Sequence, residues 1–360
     1  MYVAPNFNQI RADIEEILKT DLPWKSLSGK KILITGAAGM LASYVAETLL
    51  LLPEYFDCMP PTVTAIVRNK EKAEKRFSRY LKHPNFQLQS DDICSRLAAT
   101  NFAGTHIIIH ASSIPRPDGK KPVDVMAPNI LGTWNLLELA RELQEFEQFI
   151  YFSSGIVNGE NIKSNIPIAE DMFFASSCTT PSACYTEGKR AGETICMSFM
   201  RQYGVPVKLL RHFGSYGPGM DLYNDQRAFT SFIKNAVLGE NIVLLSSGEE
   251  VRFLCYITDA TEAFFRIFFS SIYGEAWNIA NDKAGCTIRE LAQTVCELSP
   301  FRNISLQFDP GKVPSGYTAF KSEYITVPDI TKIRKIGFAP KITVREGLQR
   351  TINAYLKIRG

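Results

Sequence analysis

The sequence predicts an α/β protein: a doubly wound parallel sheet with a smaller C-terminal α/β lobe. Three observations carry that prediction. Short apolar strands alternate with helical patterns from residue 30 to 211, the arrangement that buries a parallel sheet between two helix layers. A glycine turn, Gly36-x-x-Gly39-x-x-Ala42, separates the first of these strands from a helix. A serine pair, Ser153-Ser154, ends a later strand and precedes Tyr185-x-x-x-Lys189 on a helical segment.

Taken in order, residues 7–21 have helical spacing through Ile10, Ile14, Ile17 and Leu18, and read as an accessory helix ahead of the main domain. Residues 31–35 form an unbroken apolar strand that runs into the glycine turn and a helix over 44–52. A turn of this kind brings backbone amides at a helix's positive end close to a phosphate, and Ala42 lets helix and strand pack closely. The second strand, 62–67, ends at Arg68-Asn69, with no acid where one would bind an adenosine ribose 2'-hydroxyl; Arg68 therefore tilts a dinucleotide site toward NADP. A third strand near 86–88 leads to Asp91-Asp92-Ile93, which would offer a carboxylate and an apolar side chain to an adenine. A buried strand over 105–113 ends in Ala111-Ser112-Ser113, small enough for a cofactor to approach. A helix over 129–137 and a strand over 149–152 follow. After the Tyr185 helix come a strand over 207–211, a loop over 213–219, and helices over 227–238, 287–298 and 343–358. The weaker C-terminal pattern returns to the sheet through 252–256 and 277–279. The expected organisation is a helical extension over 1–28, a dinucleotide-binding domain over 29–215 with returning segments near 251–282, and a substrate-binding lobe over 216–250 and 283–360.

Composition narrows the class. The 360 residues are 45% hydrophobic and 21% charged, ordinary for a soluble folded chain, and large enough for two interleaved domains. A net charge of +3 with no basic block interleaved with aromatics speaks against nucleic acid. The eight cysteines and four histidines are scattered without metal-ligand spacing, so no metal site is expected. No signal-peptide pattern opens the chain and no apolar run reaches membrane-spanning length, so a cytoplasmic protein with reduced thiols is expected.

Tyr185 and Lys189, four residues apart on one helical face, reach one small site, where a fixed positive charge favours the phenolate and so a base near neutral pH. In register with the glycine turn stand Asp92-Ile93, His110-Ala111-Ser112, Asn129-x-x-Gly132-Thr133-x-Asn135, Ser153-Ser154, Tyr216-Gly217-Pro218 and Pro328-Asp329. Together they resemble the extended short-chain dehydrogenase/reductase family, the branch that modifies nucleotide sugars, over residues 30–358. Within it, Cys184-Tyr185-Thr186-Glu187-Gly188-Lys189-Arg190 and Arg252-x-x-Cys255-Tyr256 look closest to the UDP-glucuronate decarboxylase group.

The resemblance implies a Rossmann-type sheet binding NAD or NADP through Gly36, Gly39, Met40, Leu41, Arg68, Asn69, Asp92, Ile93, Ala111, Ser112, Ser113, Asn129, Tyr185 and Lys189. It implies a nucleotide-diphosphate sugar held by Ser154, Tyr185, Gly214, Arg227 and Arg252. Tyr185 would take the proton of the sugar C4 hydroxyl as a hydride leaves C4. Ser154 would bond the same oxygen, and Lys189 would hold the nicotinamide ribose and lower the tyrosine pKa. A homodimer through helices over 129–143 and 185–203 is also implied. Two departures bear on the reaction. Decarboxylases of the group carry a glutamate two residues after the catalytic Ser/Thr, and 4,6-dehydratases carry Asp-Glu directly after it, whereas this chain reads Ser154-Gly155-Ile156-Val157-Asn158. Gly214 stands where an asparagine usually contacts the substrate. With neither acid present, the expected activity is epimerisation at C4 through a 4-keto sugar. A decarboxylase is the alternative, and dehydration requires Glu160 or Glu170 to supply the acid. A dinucleotide sensor without turnover is the contrasting class, and the intact Ser154, Tyr185 and Lys189 speak against it.

Overall fold

The computed structural model describes residues 3–114, 121–159, 166–180, 183–225, 227–309 and 326–356. The chain runs α1 (Phe7–Leu18), β1 (Lys31–Thr35), α2 (Met40–Leu51), β2 (Thr62–Val67), α3 (Lys70–Arg76), β3 (Phe86–Ser90) and β4 (Ile107–His110). It continues with α4 (Pro122–Ala127), α5 (Thr133–Glu142), β5 (Gln148–Ser154), α6 (Ala183–Tyr203), β6 (Val207–His212), β7 (Ser215–Tyr216), α7 (Ala228–Leu238) and β8 (Ile242–Leu244). The remaining elements are β9 (Val251–Phe253), β10 (Cys255–Tyr256), α8 (Ile257–Phe269), β11 (Ala276–Ile279), β12 (Gly285–Thr287), α9 (Ile288–Leu298), β13 (Leu306–Phe308), α10 (Thr331–Arg334) and α11 (Val344–Leu356).

Seven strands form one sheet in the order β3-β2-β1-β4-β5-β6-β11, and every pairing is parallel. The chain moves outward from β1 through β2 and β3 on one side and from β4 through β5 and β6 on the other, so the connections after β1 and β4 diverge and open a crevice at the carboxyl ends of these strands. Strand burial explains the near-continuous Ile, Leu and Val runs: Ile107, Ile108 and Ile109 are all shielded, as a sheet covered on both faces demands. One cluster fills the face under α2 and α8 and another the face under α5 and α6.

The structure departs from the sequence reading in three places. The helix expected as an extension is packed into the main body: Ile10, Ile14 and Ile17 are buried, and α1 touches α2, α8 and α11. Its buried Asp13 accepts hydrogen bonds from Tyr44 (2.8 Å) and Tyr256 (2.9 Å), and Arg350 of α11 reaches it at 3.2 Å. The segment 252–256 does not return to the main sheet. Its first part, β9, pairs antiparallel with β12, and β10 pairs with β7, so only β11 extends the sheet. The helix read over 129–137 is two pieces, because Pro128–Gly132 forms a π-helical turn between α4 and α5. No helix among the described residues is long and apolar enough to cross a membrane.

Candidate active site

The glycine turn sits where β1, β2 and β4 end together. Gly36 adopts φ +65°, and a Cβ there would stand 2.7 Å from the backbone of Ser112, so the turn is tight and pressed against the end of β4. Gly39 is the N-cap of α2 and brings no side chain, leaving the first-turn amides of Met40 and Leu41 without a capping oxygen. A helix N-terminus in this state is a ready anion site. Thr35 Oγ1 and His110 Nδ1 lie 2.8 Å apart, bracing the strand ends beneath it. Ser113 Oγ is buried with no partner among the described residues. A bare helix start, a glycine cradle and an orphaned hydroxyl on one rim fit the pyrophosphate and ribose of a dinucleotide.

Further along the rim, Arg68 is exposed at the end of β2, and Asn69 caps α3 by accepting from Lys72 N at 2.9 Å. Asp92 is exposed and accepts from Cys94 N at 2.9 Å. Two expected cofactor contacts are placed otherwise. The Ile93 side chain is buried against Gly132 in the core, so an adenine would meet its backbone and not its apolar side chain. Asn129 is fully buried beneath α6, its amide donating to Val125 O and its carbonyl accepting from Tyr151, so it shapes the wall behind Lys189.

Ser154 ends β5, and Tyr185 and Lys189 lie on one face of α6. Tyr185 is partly buried, and burial raises its phenol pKa. A hydrogen bond from Ser154 and the charge of Arg227 work in the opposite direction. Lys189 points elsewhere: its ammonium is buried, donates to Phe152 O at 2.5 Å and lies 4.8 Å above the Tyr151 ring. Burial lowers Lys189 to about 7, against an upward pull from Glu193.

Glu193, one turn further along α6, was not singled out in the sequence, although its i+4 spacing from Lys189 was legible. It forms a two-point pair with Arg211 of β6 (2.9 and 2.7 Å) and accepts from Ser153 at 2.6 Å. Arg211 also donates to Glu170 O at 2.6 Å. The Glu170 carboxylate accepts from Asn278 N of β11 at 2.8 Å. Glu160 lies outside the described residues.

The segment after β6 shapes the sugar side. A Cβ on Gly155 would enter the Phe213 ring, so the ring occupies the place of any side chain immediately after Ser154. Gly214 has φ +53°, and a Cβ there would collide with Phe253 O, so neither asparagine nor any other side chain fits this backbone. Gly214 can offer a ligand only its backbone. Arg227 is held by Asp225 (2.8 Å from Nε) and lies over Phe229. Arg252 sits mid-strand in β9, beside the Phe253 that packs on Gly214, with Cys286 as its register partner.

The family described as NAD dependent epimerase/dehydratase family matches residues 32–280. UDP-glucuronic acid decarboxylase 1 of Danio rerio is 30% identical over 91% of this chain and 72% of its own length. UDP-glucuronic acid decarboxylase 6 of Arabidopsis thaliana is 28% identical over 89% of this chain and 87% of its own length. Among solved structures, the UDP-glucuronic acid 4-epimerase of Bacillus cereus, crystallised with UDP-glucuronic acid and NAD, superposes with TM-score 0.76 at 22% identity, covering 91% of this chain and 99% of that one. An epimerase of Methanothermobacter thermautotrophicus superposes with TM-score 0.78 at 21% identity, covering 98% and 96%.

Proposed function

The chain belongs to the NAD dependent epimerase/dehydratase family, and from that premise we propose that it is a nucleotide-sugar 4-epimerase working through a 4-keto intermediate. The observation that carries this reading is the composition of the site: Ser154 bonds Tyr185, Lys189 follows one turn along the same helix with its ammonium on Phe152 O, and the two positions after Ser154 are Gly155, closed by Phe213, and Ile156, neither of them an acid. Epimerisation needs a base for the C4 hydroxyl and a face-to-face turn of the oxidised sugar, and no leaving group has to be protonated.

A nicotinamide dinucleotide bound at the Gly36–Leu41 rim would accept a hydride from C4 and return it. Tyr185 holds and moves the C4 hydroxyl proton, and Ser154 orients that oxygen. Lys189, buried against Phe152 O, carries a positive charge in its protonated form, and Arg227, held by Asp225, favours the Tyr185 phenolate. NAD is the first choice of cofactor, since the exposed Arg68 is compatible with either dinucleotide and several of the solved neighbours, the Bacillus cereus epimerase among them, were crystallised with NAD. The cited decarboxylases and the Bacillus cereus epimerase share one sugar in their names, UDP-glucuronic acid. On that shared sugar, a UDP-uronic acid is the substrate class we favour.

The second reading is decarboxylation of the same 4-keto uronic acid, supported by the sequence relatives at 26–30% identity. Mass spectrometry after incubation with NAD or NADP and UDP-glucuronate, UDP-glucose and dTDP-, CDP- and GDP-sugars separates the readings. A new isomer of unchanged mass supports the epimerase. Loss of carbon dioxide replaces it by the decarboxylase, and loss of water refutes both. We also propose a homodimer in the cytoplasm, paired through α4 to α6, where Val123, Leu131, Trp134 and Tyr203 are exposed. Light scattering of wild type and Trp134→Asp tests the pairing, with the variant expected to be monomeric.

A further inference from the structure

His212 closes β6 as the register partner of Ser154 across the parallel sheet, so it stands at the same carboxyl-end rim as the reacting groups. Its ring lies 4.9 Å from that of Phe152, whose carbonyl binds Lys189. Both imidazole nitrogens are shut off from solvent, and neither has a hydrogen-bond partner among the described residues. His110 makes the comparison: it too ends a strand of this sheet, yet Thr35 Oγ1 lies at 2.8 Å from one nitrogen and Pro128 O at 3.1 Å from the other.

Leaving a buried polar atom unmade costs about 1–3 kcal/mol, and a leucine of similar bulk would carry no such cost at that position. Burial and the Lys189 charge lower His212 to about 3, so the ring is neutral at any working pH and presents one donor and one acceptor. A phosphate is a poor match for a neutral ring. A group that is itself donor and acceptor is a good one: a carboxamide or a sugar hydroxyl.

We infer that His212 is a further ligand-contacting residue of this site: its partly exposed side chain turns on binding to bring a ring nitrogen to the rim, where it hydrogen-bonds a neutral amide or hydroxyl beside Ser154, either the nicotinamide carboxamide or a hydroxyl of the sugar. The inference rests on the nucleotide-sugar reading above and adds a residue to it.

The test uses the full-length protein, His212→Leu and His212→Gln, with NAD and UDP-glucuronate as probes. The chain has four histidines, so nitrogen-labelled imidazole spectra are simple, and the signal missing in His212→Leu assigns this ring. That signal is expected to move on addition of NAD or UDP-glucuronate, while those of His83 and His106 stay in place. The unfolding midpoint of His212→Leu is expected to be unchanged or higher, because an unpaired polar ring has gone. Its NAD dissociation constant should rise about three- to tenfold if the carboxamide is the partner, the loss of one ordinary hydrogen bond. If a hydroxyl is the partner, the sugar nucleotide KM rises by that factor and NAD affinity is kept. His212→Gln, which retains a donor and an acceptor, should recover most of the loss. Unaltered NAD affinity and KM in His212→Leu overturn the inference, as does a midpoint lowered by several degrees, which would mark the ring as structural. A wild type that binds neither probe would instead refute the functional reading, and the His212 assignment with it.

Discussion

Replacing Glu193 by glutamine tests whether the pair behind Lys189 tunes the site or only fills it. The glutamine keeps an oxygen for Ser153 and Arg211 but removes the charge from a pair that is nearly dry, with side-chain exposures of 3% for Arg211 and 10% for Glu193. Arg211 retains Glu170 O as an acceptor and is otherwise left as an uncompensated buried cation. Breaking a buried pair by neutralising one member costs about 3–5 kcal/mol, and the retained hydrogen bonds place this variant near 3. That corresponds to roughly two powers of ten in the unfolding equilibrium, small enough to leave most domains folded. Urea denaturation measures it. The second consequence has a sign fixed by the geometry. Glu193 raises Lys189 against burial, so its removal lowers Lys189 below about 7. If the protonated lysine is the working form, the alkaline limb of the kcat/KM profile moves to lower pH. The stability profile moves with it: a lysine depressed in the folded state destabilises most where the unfolded chain is charged, so stability rises with pH from about 7 toward the ordinary lysine value. In the variant that rise begins at lower pH. A stability loss under about 1 kcal/mol together with an unmoved alkaline limb would refute the reasoning.

Three further changes probe the rest of the molecule. Tyr185→Phe should lower kcat by about 10² to 10⁴ while NAD affinity and the unfolding midpoint hold; retained turnover would mean that another group takes the C4 proton. Gly36→Ala forces a left-handed backbone costing about 1–2 kcal/mol and brings a methyl to within 2.7 Å of Ser112, so calorimetry should find NAD binding weakened at least tenfold. Lys208 donates to the carbonyls of Ile267, Phe268 and Ser270 at the end of α8; Lys208→Met removes that donor from all three, although Ile267 O still accepts from Ser270 N and Oγ. A loss of about 2 kcal/mol by denaturation, with kcat unchanged, is expected.

The parts of the site that were legible in the sequence are those written in short-range pattern. Strand, glycine turn and helix are contiguous, so the placement of Gly36 and Gly39 followed from residues 31–51. Ser154 and the Tyr185/Lys189 pair were legible because a strand end and an i,i+4 face each fix a direction. Orientation set by tertiary context was not. The π-helical turn at Pro128–Gly132 inserts a wider step into a helix read at 3.6 residues per turn, and Asn129 within it is buried. The inward turn of Ile93 depends on Gly132, far along the chain, leaving room for its side chain. Arg252 was assigned to the main sheet because an apolar-flanked strand does not declare its partner, and β12 appears only later in the chain. His212 carried no sequence signal at all: between Arg211 and Phe213 it reads as one more strand residue, and only the missing partners of its ring make it conspicuous.

The contact between Asp13 and Arg350 spans 337 residues, and Asn6 N donates to Ala354 O at 2.7 Å beside it. On a ribosome, α1 is made early, and its Ile10, Ile14 and Ile17 face waits without α11 until nearly all of the described chain has emerged. The entropy of closing so long a loop is about 5 kcal/mol when left to the end, but only a fraction of it when the sheet has already drawn the two regions together. Assembly of the sheet therefore has to precede docking of the two outer helices. A fragment trimmed to residues 32–280, the stretch matched by the family, would lose both of those helices at once. It would bare the apolar flank of α2 and α8 that α1 covers and the side of α7 that α11 covers, and such a fragment is expected to aggregate during synthesis where the longer chain does not.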